Sequence, residues 1–161
     1  MKEIIDKLSS YNIFNYLLPG IVFSVLTSNF TKFNLIFDNL IIGAFLYYFI
    51  GLVISRVGSV IIEPLLKWIK FLKFADYKDF VIVSKTDTKL EVLSESNNTY
   101  RTIVSMFLIL FLLIGYQELS ETFCFFSNNK DIIVLSILFL LFLFSYRKQT
   151  SYITKRIKAS N

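Results

Sequence analysis

The sequence contains no histidine, one cysteine, two prolines and five glycines in 161 residues. Without histidine it lacks the commonest general acid–base group and the commonest metal ligand. With Cys124 alone it forms neither an intrachain disulfide nor a cysteine metal cluster. Charge is scarce as well. Asp, Glu, Lys and Arg make up 18% of the chain, against about 25% in an ordinary soluble domain. No glycine-rich phosphate loop occurs, and no serine has a histidine to activate it. A non-enzyme is therefore expected, with no catalytic residue, metal or cofactor.

What fills the chain instead is apolar. Hydrophobic residues reach 55% and aromatics 17%, including 18 Phe and 9 Tyr. They gather in four runs, at about residues 11–28, 35–57, 102–116 and 132–146. A helix crosses the hydrocarbon of a bilayer with roughly 20 residues, and about 17 is the low end. The last two runs are short, but aromatic and basic ends extend their reach. Backbone groups in lipid must be satisfied internally, so these runs are helices rather than open strands. Lys2 and Lys7 before the first run resemble a secretion signal, but Glu3 and Asp6 lie among them and no small-residue cleavage site follows. The expected fold is an all-α membrane protein with four transmembrane helices and a small cytoplasmic collar.

The basic residues set the orientation. Two lie in the head, eight between runs two and three (Arg56 to Arg101), and five in the tail, which together are 15 of the 17. Only Lys32 and Lys130 fall on the other side. Basic loops stay inside, so both termini and the middle segment are expected in the cytoplasm. The chain divides into residues 1–58 (head and spans one and two), 59–101 (cytoplasmic amphipathic segment), 102–147 (spans three and four) and 148–161 (basic tail). Six acids nearly balance the middle segment, whereas the tail has none.

Within the middle segment, residues 61–74 predict an amphipathic helix with Pro64 in its first turn and Lys67, Lys70 and Lys73 at every third position. The run Phe80–Val83 reads either as a short strand paired with residues 90–93 or as a buried helical turn. Residues 91–102 read as a polar lead-in to span three, with Tyr100 and Arg101 at the boundary.

Several residues stand out as site candidates. Asn12, Asn15 and Pro19 share one face of the first span, either as a pore lining or gate hinge, or as helix-to-helix glue. Gly43, Tyr47, Gly51, Ser55 and Ser59 recur every four residues on the second span. Such a stripe lets backbones approach, within one chain or at a subunit interface. Arg56 and Glu63 lie two turns apart, as an ion pair or with Arg56 as a simple membrane anchor. In the tail, Lys148, Tyr152, Lys155 and Arg156 share a helical face with Lys158 at its edge. With Arg147, Lys67, Lys70 and Lys73 they form the candidate ligand-binding set. Cations neutralise phosphates and tyrosines stack bases, but the same residues also suit a grip on anionic lipid. Four helices enclose no water-filled channel alone, so a pore requires a homo-oligomer, for which a tetramer is expected.

The opening SYNIFNYLLPGIVF, the four short spans, the basic collar and NNTYRT before span three resemble small membrane effectors of bacterial anti-phage systems. The layout is most similar to the channel effector of Hailong-type systems, and comparable to a Kiwa-type membrane sensor. The Hailong resemblance implies a homo-oligomeric ion channel encoded beside a nucleotidyltransferase. That enzyme's DNA oligomer, or a nucleotide, binds the channel and holds it shut; loss of the ligand on infection depolarises the cell. The alternative is a non-conducting membrane sensor or scaffold that recruits a cytosolic partner.

Overall fold

The structure, a computed structural model, describes residues 13–122 and 129–160. Asn12 and Cys124 lie outside the described residues. Both prolines sit just past a widened stretch of helix. A proline cannot donate to the carbonyl four residues back, and its ring crowds that oxygen. Upstream of Pro19 the helix opens into a π-helical stretch, Ile13–Leu17, and continues as α1, Leu18–Phe30. Upstream of Pro64, helix α2, Leu40–Val57, passes through a second π stretch, Gly58–Ile62, into α3, Glu63–Trp68. There the Glu63 N–H donates to the Gly58 carbonyl, five residues back. Through this wider turn α2 and α3 run on as one continuous helical rod, Leu40–Trp68.

Polar side chains set two of the helix starts. The Asn39 side chain accepts from the N–H groups of Ile41 and Ile42 at 3.0 and 3.1 Å, which starts α2. Asp87 Oδ1 accepts from the Lys89 N–H at 2.9 Å at the start of α5, Lys89–Thr122. Between these lies the short α4, Tyr77–Val83, and the chain closes with α6, Lys130–Ser160.

Among the described residues every regular element is helical. The run Phe80–Val83, open between strand and helical turn, is helical: it belongs to α4, and Val81 is fully buried. Residues 90–93 lie in the first turns of α5. The amphipathic helix expected over 61–74 is shorter. Its regular part ends at Trp68, and Lys70 turns the chain with φ 60°. Residues 91–102 are not a separate lead-in but the first third of α5. The divisions expected at 58, 101 and 147 all fall inside continuous helix.

Among the described residues, two helices are long and apolar enough to cross a bilayer: Leu40–Trp68 and Lys89–Ser120. The interior supports a lipid setting. The core of Phe23, Ile54, Met106 and Leu110 is small. Asn15, Ser24, Thr27, Ser55, Thr102 and Ser105 are buried around it, while Leu40, Phe45, Phe111, Leu112 and Phe139 face outward. In water this is inverted; in lipid, apolar surface gains nothing by burial and small polar residues pack helices together. The hydroxyls of Ser24, Thr102 and Ser105 bond carbonyls four residues back on their own helices.

Glycine brings α1 and α2 into backbone contact. A Cβ on Gly51 would overlap the Tyr16 carbonyl and stand 2.9 Å from Tyr16 Cα. A Cβ on Gly20 would overlap the Tyr47 carbonyl and stand 3.0 Å from the Gly51 nitrogen. Gly51, Ser55 and Ser59 are buried within the chain itself. Gly51, Ser55 and Ser59 thus pack within the chain, whereas Gly43 lies nearest Phe37, ahead of α2, and Tyr47 on α2 itself.

Candidate functional site

Glu63 heads α3 at the end of the rod, where the π stretch delivers it toward α5 and α6. Its side chain is 7% exposed, and its two oxygens meet three cations. Oε1 accepts from Lys67 Nζ at 2.8 Å, one helical turn on. Oε2 accepts from Arg101 Nη1 at 2.7 Å, from α5. Lys148 Nζ, from α6, lies 3.6 Å from Oε1 and donates to the Ser59 carbonyl. Gly58 makes this convergence possible. A Cβ there would meet Ser105 Oγ at 2.5 Å and Arg101 Cγ at 3.1 Å, so a larger residue would have to displace these side chains.

One carboxylate thus joins three helices, and the cluster keeps an excess of two positive charges. A buried ion persists only when its partners and hydrogen bonds repay its lost hydration. Arg101 contributes a further polar atom, Nε, which is buried without a hydrogen-bond partner. Burial lowers the Lys148 pKa; the Glu63 charge pulls it back up, while Arg101 and Lys67 add to the lowering. Burial and then the Glu63 charge raise the Tyr152 pKa. Lys148 lies 5.6 Å from the centre of the Tyr152 ring, and Tyr152 in turn meets Tyr77 of α4 at 6.1 Å.

The candidate ligand set therefore separates. Lys67, Lys148 and Tyr152 are drawn into the Glu63 cluster. Lys70 and Lys73 follow Trp68 on an exposed turn and loop, not on a helix. Arg147, Lys155, Arg156 and Lys158 lie exposed along α6, as the expected tail helix has them. Arg156 also borders a cleft of about 420 Å³ with Phe80, Ser84, Glu91, Ser94 and Glu95.

On the stretch expected as the first span, Asn15 is 1% exposed and its side-chain amide is hydrogen-bonded to Thr102 Oγ1 at 3.0 Å. Pro19 is also buried. The Asn15–Thr102 bond links the first helix to α5. Arg56 does not reach Glu63; its Nη2 donates to the Tyr16 hydroxyl at 3.3 Å. A π stretch carries more residues per turn than an α-helix, so seven residues across it no longer return to one face. Arg101 as a partner of Glu63 was not foreseen. The one local signal was Lys67, four residues past a lone acid at the end of an apolar run.

No protein-family model matches this chain, and no curated protein or solved structure matches it either.

Proposed function

We propose that the chain is a subunit of a homo-oligomeric ion channel in a bacterial inner membrane, gated by an anionic nucleotide or oligonucleotide on its cytoplasmic side. Four spans then place both termini and the Glu63 cluster inside, and a tetramer encloses the pore. In anti-phage defence the ligand, made by a nucleotidyltransferase encoded alongside, holds the channel shut, and its loss depolarises the cell. The observation that carries this reading is the continuity of α6. One helix joins an apolar span, the Glu63 cluster through Lys148, and the exposed cations Lys155, Arg156 and Lys158. A polyanion held on the tail pulls on the residue that ties α6 to the other two helices. The ligand shifts the spans by its different affinity for the two arrangements.

A second reading, a non-conducting sensor or scaffold, is favoured by the inward-facing polar side chains of the first span and α5. Asn15 and Thr102 are buried and bonded to each other inside the chain.

Oligonucleotide binding in neutral detergent tests the ligand. Wild type is expected to bind a short single strand with a salt slope of roughly −2, from three phosphates neutralised at about −0.7 each. Lys155→Gln/Arg156→Gln/Lys158→Gln, which leaves Lys148 and the Glu63 cluster intact, is expected to lose that binding. Equal, weak binding by both proteins contradicts a nucleic-acid ligand on the tail.

A further inference from the structure

The rod ends on an uncovered patch that the proposed gating does not use. Trp68 is 80% exposed and Phe71 74%, and Ile69 and Phe74 are exposed beside them. The turn at Lys70 creates this patch. Past Trp68 the N–H groups of Phe71 and Leu72 both reach back to the Leu66 carbonyl, closing the helix and turning the next residues outward. Interleaved with the rings are Lys67, Lys70 and Lys73, with no acid between Pro64 and Ala75. The acid just before them, Glu63, is consumed in its own cluster, and Lys67 Nζ sits 3.9 Å over the Phe74 ring.

We propose that residues 65–74 form a binding surface for anionic phospholipid headgroups of the leaflet at the cytoplasmic end of the rod. Three observations fix lipid as the occupant. The patch is continuous with the apolar helix Leu40–Trp68, which ends on the tryptophan itself. Tryptophan prefers the headgroup level, where its ring is half in hydrocarbon. Ammonium groups alternating with buried-type rings match the boundary between phosphates and acyl chains, where such a segment lies flat. A soluble polyanion complements the lysines but leaves four apolar side chains in water. The surface depends on the rod lying in a membrane and is independent of whether the protein conducts.

Trp68 is the only tryptophan, so its fluorescence reports on this surface alone. The full chain is reconstituted in phosphatidylcholine bilayers containing brominated phosphatidylglycerol or brominated phosphatidylcholine. Trp68 is expected to emit at short wavelength, to be quenched most by bromines placed near the headgroup, and to prefer the anionic lipid. Lys70→Gln/Lys73→Gln spares the Glu63 cluster and is expected to lower that preference by about fivefold per lysine, with quenching by phosphatidylcholine retained. Water-like emission that no brominated lipid quenches overturns the proposal. So does a Trp68 signal that a short oligonucleotide in neutral detergent changes at micromolar concentration, since the surface then serves a soluble polyanion. Neither result bears on tail binding, which the Lys155, Arg156 and Lys158 variant reads separately.

Discussion

Gly51→Ala is expected to separate α1 from α2 and to lower the melting temperature of the detergent-solubilised protein by on the order of 10 °C. The new Cβ overlaps the Tyr16 carbonyl, which is backbone and cannot swing aside. Overpacking of a fixed contact costs about 3 kcal/mol, and roughly 2–4 °C accompanies each kcal/mol in a chain of this length. Two controls make the effect specific. A Cβ on Gly43 meets its nearest neighbours at 3.4 Å, and one on Gly115 meets nothing within 4 Å. Gly43→Ala should therefore change stability little, and Gly115→Ala should gain about 0.5–1 kcal/mol from helix propensity. Equal melting of the Gly51 and Gly115 variants would mean that the two helices do not meet at Tyr16.

Glu63→Gln is expected to be comparably damaging for the opposite reason, since it removes attraction rather than space. Lys67, Arg101 and Lys148 converge on one carboxylate. Taking the acceptor from a buried ion pair typically costs 3–5 kcal/mol, because the remaining charge is left without compensation. Here three like charges remain together. A second substitution that removes one of them, Lys148→Gln, should recover part of the loss, and the double-mutant cycle should give a coupling of at least 1 kcal/mol. Additive losses in thermal melting would show that Lys148 and Glu63 do not act on each other. Any change in gating from either variant is read only after the melting temperature is known.

These two sites differ in how far the residues announced them. The helical class and the apolar runs were legible in composition alone, because a chain with so little charge has nothing else to do with its phenylalanines. The spacing of Gly43, Gly51, Ser55 and Ser59 announced a tight seam. It said nothing of the partner, since the Tyr16 backbone oxygen ahead of α1 and one on another subunit demand the same small residue. The Glu63 cluster was not legible, because Arg101 and Lys148 come from distant helices and only packing brings them to Glu63. The nearer cation, Arg56, looked better placed by helical arithmetic, but the π stretch at Gly58–Ile62 rotated it toward Tyr16. The β-branched run at Phe80–Val83 left strand and helix open for a similar reason. Burial of Val81, with Tyr77 stacked on Phe80 and tilted against Tyr152, outweighs intrinsic preference there.

The membrane role itself rests on whether ions cross. Purified full-length protein, folded by its melting curve, is incorporated in a planar phospholipid bilayer and current is recorded as short single-stranded DNA is added to each chamber in turn. A gated channel gives discrete conductance steps that DNA on one side suppresses, and Lys155→Gln/Arg156→Gln/Lys158→Gln conducts without that suppression. A bilayer that stays silent with the protein demonstrably inserted would contradict the channel and leave the non-conducting sensor as the function.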